Sequence, residues 1–346
     1  MKTRQHLFCY ALMAAMGSSM VWGQGERDVR DNVGFCWNLD QMERLVSYLE
    51  QEDTVAAAPE PIVAAISPHD DYLYAGRIYE PLFRRLRSKE AVIFGVTHRT
   101  VRMEIGDPEG VLLLDDFQTW RGVRGPVPIS PLREVIEKRL DRKYFLVSNK
   151  AQGLEHSIEA LVPFLQYYNP DVAITPIMVT AMPFERMQEI SEALAGIIAG
   201  YARERKLTLG KDLVILISSD ANHYGADFDN KPFGDDEAAH EKGTRGDRVI
   251  ARDYLTGGVA ESKVRDFTVA MDKVVWCGRY SIPFGLLTAE KVCREVEGKN
   301  LKGSVLTYSD TYSEGALPLR KTGMGTTAPF SLKHWVGFLS AVFTPK

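Results

Sequence analysis

LVILISSDANHYG, residues 213–225, is the stretch on which the fold turns. Five apolar residues, Leu213–Ile217, run without a break. The chemistry then changes at once to Ser218, Ser219, Asp220, Asn222 and His223. A short continuous apolar run bounded by such residues suits a strand covered on both faces, as in a parallel α/β sheet. Open sheets of that kind bind ligands just beyond the carboxyl ends of their strands. The stretch therefore reads as a buried strand that delivers an acid and an imidazole to a site.

Working outward, the same reading applies to Ile62–Ile66, Ala91–Val96, Val111–Leu114, Tyr144–Val147, Val172–Val179, Val274–Cys277 and Val305–Tyr308, with Trp335–Phe343 as a closing strand. Between them lie segments with apolar residues three and four apart: Leu39–Gln51, Tyr79–Arg87, Leu132–Leu140, Ile158–Tyr167, Phe184–Glu204, Asp235–Leu255 and Phe284–Val296. The alternation predicts an α/β fold, a mostly parallel sheet with helices on both faces. No stretch reads as a linker between domains. Gly225–Asp236 and Gly323–Pro329 read as loops.

The chain has 346 residues, 45% of them apolar, enough for a substantial core. Its formal net charge is -4, with no basic block, which gives no reason to expect a nucleic acid partner. Residues 1–23 have the shape of a secretory leader: Lys2 and Arg4, an uncharged and mostly apolar Leu7–Val21, and a cleavage point near Gln24. The alternative is an uncleaved N-terminal anchor. Residues 24–346 then form the mature domain. No later stretch reaches the roughly 18 apolar residues that a membrane span needs. The expected location is exported, periplasmic or secreted, in an oxidising compartment. Cys9 would leave with the leader, and Cys36, Cys277 and Cys293 would remain, an odd number. Cys293 lies in a helical pattern and reads as core. Cys36 is expected to pair or to be buried.

Reactive side chains follow several of the apolar runs. Ile62–Ile66 leads to Ser67-Pro68-His69-Asp70-Asp71-Tyr72, Ala91–Val96 to Thr97-His98-Arg99, and Val274–Trp276 to Cys277-Gly278-Arg279. Three of the six histidines of the mature chain, His69, His98 and His223, occupy such exits. Any one of them alone is more often a structural histidine; the recurrence points to a site. Imidazoles with a thiolate favour a transition metal such as iron, copper or zinc. Three protein ligands with an open position favour ligand binding over a purely structural centre.

These residues resemble a known family. Ser67-Pro68-His69, Tyr72-Leu73-Tyr74-Ala75-Gly76, Thr97-His98, Glu155-His156-Ser157-Ile158-Glu159, Ser218–Gly225, Cys277-Gly278-Arg279 and Trp335-Val336-Gly337-Phe338 run in the order found in the Memo-like family, known in bacteria as AmmeMemoRadiSam system protein B. The resemblance implies a single domain folded like the class III extradiol dioxygenases, which are non-haem iron enzymes. It implies His69, His98 and Cys277 as metal ligands, His223 as an acid/base or substrate-binding group with Asp220 beside it, and His156 in the same pocket. It also implies a cleft that takes a small molecule or a peptide. There are departures. The family usually carries small residues after the first histidine, as in His-Ala-Gly-Tyr, where this chain has Asp70 and Asp71. These two either serve the metal site or do ordinary work, one capping a helix and one facing water. The second histidine follows Val96-Thr97 rather than Pro-Ser. Family members are usually cytosolic, and this chain starts like an exported one.

Other patterns carry less. The polar residues of Glu155–Glu159 also suit a helix cap. A zincin needs two histidines four apart, and only His156 is there. Asp227-Phe228-Asp229-Asn230 starts like a calcium loop, but Lys231-Pro232 ends the likeness. His240 and His334 read as surface residues. Three functions stay open: a metal-dependent oxidoreductase, a non-enzymatic metal-binding or adaptor protein, and a zinc hydrolase using Asp70, Asp71 or Asp220 as base. One consequence of the leader is directly measurable. Mass spectrometry of the native protein is expected to find its N-terminus near Gln24, and mature material that keeps Met1 would contradict the leader.

Overall fold

The computed structural model of the protein describes residues 25–52, 55 and 59–346. The leader, Cys9 and the expected cleavage point lie outside these residues. A single large sheet runs through the α/β domain in the order Gly257–Gly258, Leu301–Asp310, His334–Pro345, Ala64–Ser67, Leu213–Ser218, Glu90–Gly95, Ala173–Val179, Leu112–Leu114, Phe145–Val147. Its centre is parallel: Ala64–Ser67 pairs with Leu213–Ser218, which pairs with Glu90–Gly95, which pairs with Ala173–Val179. The flanks are joined to this centre by antiparallel pairings. The sheet is therefore mixed, with four central parallel strands and a second parallel pair, Leu112–Leu114 with Phe145–Val147, at one edge. An unbroken apolar run marks a strand buried on both faces, whichever way the strand runs. His334–Pro345, buried almost throughout, has the same signature as its parallel neighbours.

Side chains alternate between the two faces. Ile215, Ile217, Val92 and Phe94 join one core, covered by the helices Phe184–Arg205 and Ser281–Glu297. Val214, Leu216, Ala91 and Ile93 join the other, covered by Leu39–Glu52, Tyr72–Phe83 and Val162–Tyr168. Leu39–Glu52 shows why these segments are helical: Met42, Leu45, Val46 and Leu49 fall on one face and are buried, with polar residues elsewhere. No described helix is long and apolar enough to cross a membrane.

Two expectations differ from the structure. The helix expected from Tyr79 begins at Tyr72, and it ends at Phe83, two residues after Pro81. The missed start, Tyr72–Ile78, is buried at Tyr72, Leu73, Ala75, Gly76 and Ile78, so it lacks the broad polar face that marks an amphipathic helix. Val274–Cys277 is not a strand. Val275 is exposed, Trp276 makes an isolated bridge to Asn222, and a 3-10 turn begins at Cys277. The run looked like a buried strand because its one deeply buried residue, Trp276, is large and apolar.

Trp276 is tied down by a buried acid. Asp247, on the helix Glu237–Leu255, accepts from Trp276 Nε1 at 2.8 Å and from Tyr308 Oη at 2.7 Å. Burial outweighs these donors and pushes the Asp247 carboxyl up to about 7. In the unfolded chain the same group ionises near 3.8. Between those values the folded protein keeps a proton that the unfolded chain has released, so folding is favoured on the acid side. That advantage is lost as pH rises towards 7. Asp247→Asn is expected to remove this dependence: the melting temperature of the wild type, relative to the variant, should fall as pH rises from about 4 to about 7. Parallel curves for the two proteins would contradict the burial effect.

Candidate metal centre

Neighbouring strands place the site. Ala64–Ser67, Leu213–Ser218 and Glu90–Gly95 lie side by side, and their carboxyl ends lead to His69, Asp220 and His98. His223 begins a short strand that pairs antiparallel with His334–Pro345. Its backbone N–H donates to Val275 O at 2.9 Å, which draws the Cys277 turn alongside. The turn closes tightly on the sheet. Gly278 N donates to Ser219 Oγ at 3.0 Å, and a Cβ at Gly278 would lie 2.2 Å from that oxygen, so only glycine fits. His69 and Asp220 are buried, whereas His98, His156, His223 and Cys277 are partly exposed. The cluster thus has a buried floor and an open mouth.

Three of the four imidazoles, those of His69, His98 and His223, have one nitrogen committed elsewhere. Ser218 Oγ donates its only proton to Ser157 O at 2.7 Å, and therefore accepts from His69 Nδ1 at 2.8 Å. His69 Nε2 is left buried with no hydrogen-bond partner, 3.2 Å from Asp220 Oδ2. Asp220 Oδ1 accepts from the His69 backbone N–H at 2.8 Å. His98 Nδ1 donates to Glu155 Oε1 at 2.8 Å, leaving Nε2 to face Cys277 Sγ at 3.4 Å. His223 Nδ1 donates to Ala221 O at 3.2 Å, leaving Nε2 at 3.5 Å from the same sulfur. The His156 ring stacks flat on His98, centroids 4.7 Å apart. Metal-binding histidines commonly donate their second nitrogen to an oxygen in this way, which fixes the tautomer and aims the free lone pair. Donor atoms of His69, His98 and His156 lie within 4.8 Å of one another, as do those of His69, Asp220 and Cys277.

The charges follow from the same contacts. Burial raises the Cys277 thiol, but the His223 and His98 imidazolium groups outweigh it and hold the thiol well below its ordinary range. Burial lowers His223, and the Cys277 sulfur and Asp220 reverse this, so that His223 is pushed up to about 9. His98 is likewise disfavoured by burial, yet Glu155 and Cys277 hold it well above the ordinary histidine range. Burial and the neighbouring His98 charge push His156 down to about 3, so its ring is neutral. Burial would raise Glu155, but His98 holds it well below the usual carboxylate range.

The sequence model of the family described as Memo-like protein matches residues 37–316. The chain belongs to the Memo-like family. A MEMO1 family protein of Archaeoglobus fulgidus is 30% identical over 183 residues, which is 53% of this chain and 62% of that protein. One of Caldivirga maquilingensis is 30% identical over 169 residues, or 47% of this chain and 54% of the other. One of Thermococcus kodakarensis is 29% identical over 250 residues, 66% of this chain and 76% of the relative. The match thus spans less than two thirds of the length of the first two relatives.

Within this Memo-like chain, all six expected site residues, His69, His98, His156, Asp220, His223 and Cys277, converge on one cluster. Two further groups belong to it. Glu155, in a motif that also suits the cap of a following helix, ends the helix Asn149–Leu154 instead; its side chain accepts from the His98, His156 and Ser157 backbone N–H groups and from the His98 ring. Its adjacency to His156 was the only local signal. Ser218 gave none beyond ending a strand. Asp70 and Asp71 depart from the ordinary roles. Asp71 precedes the helix Tyr72–Phe83 without capping it, and is buried, accepting from Thr327 N at 2.6 Å. Asp70 is only partly exposed, and its carboxylate accepts from Asp71 N at 2.6 Å. His240 is buried beside Asp310 and Trp335 rather than exposed, and His334 is half-buried.

The three described cysteines are free, and Cys36 and Cys293 are buried. Burial raises the thiols of both, Cys293 to about 11. Metal-free protein treated with limiting iodoacetamide near neutral pH is therefore expected to alkylate first at Cys277, as read by peptide mass spectrometry. Equal labelling of the three, or an inert Cys277, would contradict the thiolate.

Proposed function

We propose that this Memo-like protein holds one transition metal through His69, His98 and Cys277, iron or copper before zinc, and serves as an oxidoreductase of the dioxygenase kind. The observation that carries this reading is the commitment of the ring Nδ1–H groups of His69 and His98 to Ser218 and Glu155. Their Nε2 atoms are thereby turned into the cluster with the Cys277 sulfur, where a metal would take the place of the proton that His98 holds. The buried His69 Nε2 without a partner is the kind of atom that a cation would satisfy. A metal bound there supplies positions for oxygen or a small ligand and, as iron or copper, a redox couple.

The chain's own residues would do the rest. Ser218 and Glu155 orient the two imidazoles. Asp220 holds the His69 backbone and carries negative charge beside the ring. His223, open to solvent on one side, exchanges a proton with a ligand in the cleft, a role worth roughly 10²–10⁴-fold where acid/base catalysis is positioned. His156 is the neutral ring that covers one face of His98. The ligand in the cleft would be a small molecule or a peptide, and the leader-like start supports export.

The thiol favours a second reading. A soft sulfur donor suits copper held without turnover, which would make the chain a metal-binding or adaptor protein. A zinc hydrolase has less support, because Asp71 is tied to Thr327 and Asp220 to the His69 backbone. Elemental analysis of anaerobically purified protein separates these readings. Iron with oxygen uptake on catechol-like substrates supports the oxidoreductase, tight Cu(I) without turnover the second reading, and zinc with ester or amide hydrolysis the third. His69→Ala and Cys277→Ser are each expected to lower bound metal sharply, while Cys293→Ser, far off in the core, leaves it unchanged. Full occupancy in all three variants would overturn the ligand assignment.

A further inference from the structure

The family match begins at residue 37, yet the chain ahead of it is built into the site. We infer that Arg27 is a positioning residue for the metal centre, acting through Glu155 on the His98 ring; the inference rests on the metal-binding reading above.

Arg27 is 1% exposed, and its guanidinium is used on every side. Nε donates to Gln152 O at 2.9 Å and Nη2 to Glu155 O at 2.6 Å. Nη1 donates to Asp28 O at 2.9 Å and pairs with the Glu159 carboxylate. The guanidinium plane lies over the Trp120 ring, 4.4 Å from its centroid. Glu159 in turn accepts from Arg30 N at 2.8 Å and Asp31 N at 2.7 Å. The pair therefore staples residues 27–31 to the turn that carries Glu155 and His156.

Glu155 is thus gripped from two sides. Its carboxylate orients His98, and its carbonyl is held by Arg27. The segment then runs on along the cleft. The Phe35 ring lies 6.4 Å from His156 and 5.1 Å from Tyr72. Gly34 O accepts from Tyr72 N at 2.9 Å, and a Cβ at Gly34 would lie 2.1 Å from Asp71 Oδ1. The segment 27–36 touches both the Glu155 turn and the start of the helix that follows His69. Arginine is needed at its anchor because one planar fork serves three carbonyls and a carboxylate at once. Lysine keeps the charge for Glu159, but its single ammonium cannot reproduce that fork.

The test is a cobalt(II) titration of the metal-free full chain, read by thiolate charge-transfer and ligand-field absorption. Arg27→Lys is expected to bind cobalt roughly 10- to 100-fold more weakly, the usual effect of losing a group that orients a ligand, with an altered spectrum. Glu90→Gln is the control. It weakens a buried cluster with Ser130 and Tyr201 at the opposite ends of the strands, and is expected to keep wild-type affinity. If Arg27→Lys does not fold, the double variant Arg27→Gln with Glu159→Gln, which leaves no buried charge unpaired, takes its place with the same expectation. Wild-type affinity and spectrum in the Arg27 variant would overturn the inference and leave the metal reading standing. So would an equal loss in Glu90→Gln, because the effect would then be general destabilisation. A wild type that binds no cobalt would instead remove the metal reading, and this inference with it.

Discussion

The Glu155 carboxylate accepts from four nitrogens: the ring of His98 and the backbone N–H groups of His98, His156 and Ser157. A buried carboxylate is costly unless it is paired and hydrogen-bonded, so this arrangement has little freedom to relax. The three-residue turn 155–157 therefore sets two imidazoles from two different strands. Its carboxylate fixes the His98 tautomer directly. Its Ser157 carbonyl takes the Ser218 proton, which obliges Ser218 to accept from His69. Ser157 Oγ also accepts from Val96 N at 3.1 Å, which ties the turn to the strand end before His98. The aim of both rings depends on a segment that contributes neither of them.

That dependence explains what the sequence could and could not reveal. Strand exits were legible because burial on both faces leaves an unbroken apolar run, and the polar residue that ends it is conspicuous. His69, His98, Asp220 and His223 all came from that signal. Strand direction was not legible, since the run that marks His334–Pro345 is the same read either way. Cys277 stood out by the same signal, and its likeness to the Memo-like family gave it the ligand role, although the apolar residues before it form a turn and not a strand. Glu155 looked like a cap because a carboxylate near a helix start usually is one. Its partner His98 lies 57 residues upstream, and Asp71 meets Thr327 across 256 residues. Contacts at such separations leave no local pattern. His240 failed for the same reason: a charged helix suggested exposure, and only the fold brings Asp310 and Trp335 against it.

The metal-free cluster also explains how so many titratable groups can share one cleft. Cys277 and Glu155 are held in their charged forms, and His98 and His223 supply the matching positive charges through the protons they retain. His156 escapes the contest by staying neutral. These four charges offset one another in pairs, which is how charges out of bulk water become tolerable, while burial pushes the neighbouring Asp220 and Asp70 carboxyls up. A cation held by His69, His98 and Cys277, as proposed above, would take the place of the His98 proton that faces the sulfur, so positive charge would again stand beside it. The Nδ1 contacts to Glu155 and Ser218 would not have to change for this. The same exchange releases the proton, so acid competes with metal for the same lone pair. On the reading proposed above, the His98 proton marks where such a cation would sit.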